Sequence, residues 1–229
     1  MRRKSFQTVP TQEGVTKFDL RFTPSAPLPF DELREINAWR TIFYRLGLIG
    51  RDPLRYGGAG FGNVSRRLAP FDGPEPRFAI TGTQTGHLPV LDERHYAVVL
   101  ETGPGGNRVV AQGPVAPSSE SLTHGMLYKL DDEIRYVFHV HCPEIWRNAH
   151  ALGVAVTDPN AAYGTPAMAV EVERLFKAAR VREQKIFAMG GHEDGVIAFG
   201  CSAQHAGTIM LRCLAAALCV PAGINPSSE

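Results

Sequence analysis

The chain has 229 residues, 44% of them hydrophobic, and its 24 Lys plus Arg nearly balance 23 Asp plus Glu for a net charge of +1. That length suits one large domain with a substantial core, and the balanced charge gives no basis for a phosphate-tracking nucleic-acid surface. No apolar stretch is long enough to span a bilayer, Leu211–Val220 included.

The basic start, Met1-Arg-Arg-Lys-Ser5, runs into Gln7, Thr8 and Pro10 rather than an apolar segment, so it does not read as a secretory signal. Residues 1–29, with Pro10, Pro24, Pro27 and Pro29, read as an N-terminal arm. Phe30–Leu48 is predicted helical: Leu33, Ile36, Phe43 and Leu46 recur at helical spacing, and Asp31 and Glu32 suit the first turn. Gly57, Gly58, Gly60 and Gly62 then cluster, with Gly60-Phe-Gly-Asn-Val-Ser65 as a tight backbone segment. Phe78–Thr81, Tyr96–Glu101 and Val109–Gln112 are short β-type runs, and a Gly/Thr loop, Thr81–Gly86, follows the first.

A helix is expected from Ser118 or Ser119, either a natural N-cap, to about Lys129. Arg135–His141 reads as a strand, Pro143–Leu152 and Thr165–Val181 as helices, and Ile186–Met189 and Val196–Phe199 as strands around Gly190-Gly-His-Glu-Asp-Gly195. Ser202–Val220 is a final apolar helix, and 223–229 a short tail. Interleaved helices and strands argue for one α/β domain over 30–222. The cysteines, Cys142, Cys201, Cys213 and Cys219, form no Cys-x-x-Cys pair. They read as reduced thiols, which favours a reducing compartment and a cytoplasmic location.

Chemistry concentrates at Tyr136-Val-Phe-His-Val-His141. Alternation along a strand puts Val137, His139 and His141 on one face, so the two imidazoles stand side by side at a separation one metal ion can bridge. Strand-end histidines bonded to backbone would show the same spacing. A catalytic metal site usually takes three protein ligands and keeps a position open. His192, flanked by Gly190, Gly191 and Gly195, is the favoured third; Asp194 is its competitor, since carboxylates also bind zinc or manganese. His150 and His205 read as structural. Glu120 suits the first turn of a helix, where a carboxylate complements the dipole. Ser118 and Ser119 at that N-terminus, Asn63, and the Thr83–Gly86 loop could supply anion donors.

In order along the chain, Gly62-Asn-Val-Ser65, Ile80-Thr81 through Thr85-Gly86, Pro117-Ser-Ser-Glu120, His139-Val-His141, Tyr163-Gly-Thr165 and the His192 region resemble the class II aldolase/adducin family. Ser-Ser-Glu followed nineteen positions later by His-x-His is its most specific part. The resemblance spans about Phe30 to Val220. It implies a single three-layer α/β/α domain with a central, largely antiparallel sheet, and His139 and His141 as metal ligands with Glu120 as the catalytic acid/base. Asn63, Thr85, Gly86, Ser118 and Ser119 would line a substrate-phosphate site. The family's third ligand histidine stands directly before a glycine, whereas here Asp194 precedes Gly195 and His192 lies two positions earlier; either His192 is the ligand and Glu193-Asp194 an insertion, the favoured reading, or Asp194 has taken over.

The resemblance further implies a metal-dependent lyase that cleaves or forms a carbon–carbon bond in a ketose or sugar-phosphate-like substrate through an enediolate. Epimerisation or dehydration on the same site, or a non-enzymatic adducin-like interaction module, are its alternatives. It implies one divalent ion per subunit, with Zn2+ preferred for imidazole ligands over Mn2+, Co2+ or Fe2+. A homotetramer is expected, with a small carbonyl or sugar-like substrate and neither nucleic acid nor membrane as partner.

Overall fold

A computed structural model describes residues 15–103, 105 and 107–221. The segments 1–14 and 222–229, the latter including the expected tail, lie outside the described residues. In chain order the elements are β1 (Asp19–Pro24), α1 (Phe30–Arg45), β2 (Gly50–Arg51), β3 (Gly60–Phe61), β4 (Asn63–Arg67), β5 (Phe78–Thr81), β6 (Tyr96–Gly103) and β7 (Arg108–Gly113). They continue with α2 (Ser121–Leu130), β8 (Tyr136–His141), α3 (Pro143–Arg147), β9 (Ala155–Val156), α4 (Pro166–Lys177), α5 (Ala179–Gln184), β10 (Ile186–Ala188), β11 (Gly195–Gly200) and α6 (Ala203–Leu218).

Among the described residues, nine strands form one sheet in the order β1-β7-β6-β5-β4-β8-β11-β10-β9, and β2 and β3 form a separate pair. Only the two edge pairings, β1 with β7 and β9 with β10, are parallel. The sheet is covered on both faces, which explains why β5, β10 and β11 are buried at every position. One layer is α2 and α4, whose Leu122, Leu127, Met168, Val172 and Phe176 pack on Phe78, Ile80, Val99 and Ile197. The other is α1, α3 and α6, whose Leu33, Ile36, Phe43, Ile145 and Met210 pack on Val64, Val98, Phe138 and Val196. This is the expected three-layer domain. Phe138 anchors the second layer: it is fully buried, edge-on to Phe43 at 5.2 Å and stacked on Trp39 at 6.3 Å. Truncating such a ring typically costs about 3–5 kcal/mol.

Several boundaries differ from the sequence expectations. Part of the expected N-terminal arm is a strand: Leu20 and Phe22 of β1 pair with Val109 and Ala111 and pack against the core beneath α2. The helix expected from Ser118 starts at Ser121, with Glu120 in the N-cap position and no side-chain cap there. The cause is a bridge between Gly82 and Pro117, continued by Ser118 N–H donating to Thr81 O, which keeps Ser118 beside the β5 loop. The helix from Pro143 stops at Arg147. The helix expected over Thr165–Val181 divides at Ala178, which is extended at φ −74°, ψ 125°. Thr165 caps α4 by accepting from Met168 N–H, with Pro166 in the position where a missing N–H is harmless. Leu46, expected on the buried stripe of α1, is 51% exposed just past the helix end. No helix among the described residues is long and apolar enough to cross a membrane.

Candidate metal centre

The site is built on the central strand β8. Its neighbours place Asn63 of β4 opposite His139, and Gly195 and Ile197 of β11 opposite His141 and His139. Both imidazoles emerge on the face covered by α2 and α4, with ring centroids 5.1 Å apart. His192 comes from the turn between β10 and β11. That turn is closed by Met189 N–H to Gly195 O, His192 N–H to Met189 O and Gly195 N–H to His192 O. It also presses against the chain before α4: a Cβ on Gly191 would lie 2.0 Å from Ala161 O, so no larger residue fits there. The His192 ring centroid lies 4.9 Å from that of His139 and 4.7 Å from that of His141. Tyr163 stacks on it at 4.4 Å, with the Lys17 ammonium 3.4 Å from the Tyr163 ring centre.

The three imidazoles each offer a ligand nitrogen within 4.8 Å of the other two, and all three residues are buried. At metal–nitrogen distances of about 2.0–2.1 Å, small side-chain rotations bring one ion within reach of all three. Burial, and secondarily repulsion from His192, push His139 and His141 well below the usual imidazole pKa, so both are neutral with a lone pair to give. His139 Nε2 is buried with no hydrogen-bond partner among the described residues, the state expected of a ligand atom and costly otherwise. The donor set therefore fits a divalent cation.

Asp194 is not part of this cluster. It takes the left-handed conformation, φ 61°, and its carboxylate turns to Tyr56 and Arg55. Tyr56 OH donates to Oδ2 at 2.6 Å, and Arg55 Nη2 donates to the same oxygen at 3.0 Å. Burial first, and the Asp194 carboxylate next, push the Tyr56 phenol above its usual pKa. Its ring meets His141 edge-on at 4.5 Å, so Tyr56 links the Asp194 carboxylate to the cluster.

Glu120 is 1% exposed. Its Oε2 accepts from Thr123 Oγ1 at 2.9 Å, and its Oε1 lies 3.4 Å from His192 Nδ1. A carboxylate thus stands at the edge of the imidazole cluster. Beside it is a pocket lined by Asn63, Thr85, Gly86, Ser118 and Ser119, together with Gly60, Gly62, Gly82, Thr83 and Gln84. The Gly82–Pro117 bridge brings the two loops of that pocket together. Asn63 also touches the cluster, its amide 3.1 Å from His139 Nδ1. His150 is exposed, and His205 bonds to Ser202 and Cys201; neither joins the site.

Arg55 and Tyr56 lie in a loop whose local sequence signal is its glycines, and neither they nor Arg40 and His124 belong to a motif that marks them as part of the site. Arg40 carried a readable signal: with Leu33, Ile36 and Phe43 it falls on the buried stripe of α1, where an arginine is unusual.

Solved structures of the same fold share its layout at low identity. A sugar-phosphate aldolase from Thermotoga maritima superposes with a TM-score of 0.59 at 18% identity, covering 82% of this chain and 92% of that one. L-fuculose 1-phosphate aldolase gives 0.56 at 21% identity, covering 87% and 93%. The N-terminal class II aldolase domain of a conserved Thermoplasma acidophilum protein gives 0.56 at 17%, covering 85% and 96%. No curated protein gives a significant sequence match. The family profile described as Class II Aldolase and Adducin N-terminal domain matches residues 54–218. That match takes in Glu120, His139, His141 and His192 and most of the chain, and the protein belongs to the class II aldolase and adducin family.

Proposed function

We propose that this protein is a metal-dependent, aldolase-type lyase that breaks or forms a carbon–carbon bond in a ketose or sugar-phosphate-like substrate. The observation that carries this reading is the meeting of three buried imidazoles, His139, His141 and His192, with the buried Glu120 carboxylate 3.4 Å from His192 Nδ1. The sugar-phosphate aldolases of the same fold support the substrate class. An interaction module would have no use for three buried imidazoles whose ligand nitrogens lie within 4.8 Å of one another.

Bound by the three histidines, a divalent ion, zinc by preference for such ligands, supplies Lewis-acid stabilisation of the oxyanion that develops as the bond breaks. Glu120 handles the proton at the carbon losing or gaining its partner. Thr123 holds Oε2, leaving Oε1 toward the cluster, so the carboxylate arrives in a fixed orientation. Burial of Glu120 keeps bulk water from that proton. Asn63, Thr85, Gly86, Ser118 and Ser119 hold the anionic end of the substrate through hydroxyl, amide and backbone N–H donors. Binding at that end positions the reacting carbon.

The test is a retro-aldol screen of ketose 1-phosphates with aldehyde detection. Cleavage that a chelator abolishes and added zinc restores is expected. Cleavage insensitive to chelation, or none across the panel, would sink the reading.

A further inference from the structure

We propose that Arg40, on the inner face of α1, is a positioning residue of the pocket beside the metal centre: it clamps the Thr85–Pro89 loop from behind and places a permanent positive charge beneath bound anions. The inference rests on the reading that this pocket holds the anionic end of the substrate.

Arg40 is 1% exposed, and a buried guanidinium is costly unless its donors are met. Here it has no carboxylate partner among the described residues. Its Nη2 donates to Thr85 O and Gly86 O, each at 3.1 Å, and its Nη1 donates to Pro89 O at 3.4 Å. The Tyr44 ring lies under it at 4.9 Å. Asn37, one turn earlier, donates to Leu91 O, so the polar side chains of one helix face fasten the loop by its carbonyls. Arginine suits this task because it stays charged when buried and its fork spans two acceptors.

The clamp has a consequence on the opposite side of the loop. In a trans peptide the C=O and the following N–H point in opposite directions. Carbonyls of Thr85 and Gly86 held by Arg40 therefore turn the N–H groups of Gly86 and His87 away from it. Those nitrogens face Gly60, which lines the pocket: a Cβ there would lie 3.4 Å from Gly86 N and 3.6 Å from His87 N. Neither amide donates to a protein group among the described residues. Gly86 itself admits no side chain, since a Cβ would lie 2.7 Å from Gly50 O. No lysine or arginine lines the pocket among the described residues, and the positive charge bonded to its loop there is that of Arg40. Two unused amides backed by a buried cation form an oxyanion cradle of the size and charge of a phosphate monoester.

The experiment is calorimetric titration of the purified full-length protein with orthophosphate, with metal content and circular dichroism checked for each variant. Wild type should bind. Arg40→Met should bind on the order of tenfold more weakly at unchanged metal content, and Arg40→Lys should recover most of the loss because the charge remains. Gly60→Ala, whose methyl would stand in van der Waals contact with the two amide nitrogens and take up space an anion needs, should also weaken binding. If Arg40→Met does not fold, Arg40→Gln takes its place with the same outcomes. Undiminished binding by Arg40→Met, or an Arg40→Lys as weak as Arg40→Met, overturns the role of Arg40 while leaving the pocket standing. No binding by wild type, or none lost in Gly60→Ala, overturns the pocket reading and this inference with it.

Discussion

Asn63 and His139 face each other across adjacent strands, with the Asn63 side-chain amide 3.1 Å from His139 Nδ1. The other amide atom, Oδ1, and the other ring nitrogen, Nε2, are both buried without a partner among the described residues. Turning the amide over pairs Oδ1 with the ring and puts Nδ2 in the place that Oδ1 held. With the amide turned so that its oxygen accepts from Nδ1–H, the Nε2 lone pair is left for a metal ion. Asn63 thereby fixes the tautomer that a ligand needs. Asn63→Leu should lower metal affinity by roughly 10–100-fold, read by competition with a chromophoric chelator. Affinity equal to wild type would contradict this relationship.

Glu120 should be separable from metal binding. Glu120→Gln keeps the size of the side chain and the contact with Thr123 but removes the proton carrier. Turnover in the retro-aldol assay should fall by about 10²–10⁴-fold, with metal content unchanged. A variant that keeps full turnover removes Glu120 from the chemistry.

Asp194 is expected to matter for stability more than for metal binding. Its carboxylate is 3% exposed and meets Tyr56 and Arg55, the latter 32% exposed. Removing it strands the phenol but lets Arg55 turn to water, so Asp194→Ala should cost about 1–3 kcal/mol, measured by urea unfolding. Metal lost in proportion would mean that Asp194 does more than brace Tyr56.

Acid should destabilise the chelator-treated protein well before carboxylates titrate. His124 Nδ1 lies 2.7 Å from Ser65 Oγ, which also bonds Tyr128, and burial pushes the His124 imidazole down to about 3. In the unfolded chain the same group titrates near pH 6.5. Stability from this depressed pKa is complete above roughly pH 6.5. It is lost as pH falls toward about 3. At pH 5 the loss from His124 is about 2 kcal/mol. Urea unfolding at pH 7.5 and 5 should show a smaller pH penalty in His124→Gln than in wild type; equal penalties would contradict it.

The parts of this structure that were legible in the sequence are those with a period. The side-by-side placement of His139 and His141 follows from strand alternation, and the β8 register bears it out. The apolar faces of α1 and α4 follow from helical spacing. The two-residue strands β2, β3 and β9 are too short to carry a period, and β1 is hidden among prolines that suggested an arm. His192 was legible only through its flanking glycines, because the turn that aims it is fixed by contacts with Ala161 and Tyr163 far off in sequence. Arg55, Tyr56 and Asp194 form a long-range trio that no local pattern encodes.

The central claim is a single metal ion held by His139, His141 and His192. Mass-spectrometric metal analysis of wild type, His192→Ala and Asp194→Asn, each purified without chelator, tests it most directly. One equivalent of divalent metal in wild type and in Asp194→Asn, with loss in His192→Ala, is the expected result. Metal-free wild type, or a His192→Ala protein that keeps its full equivalent, would contradict it.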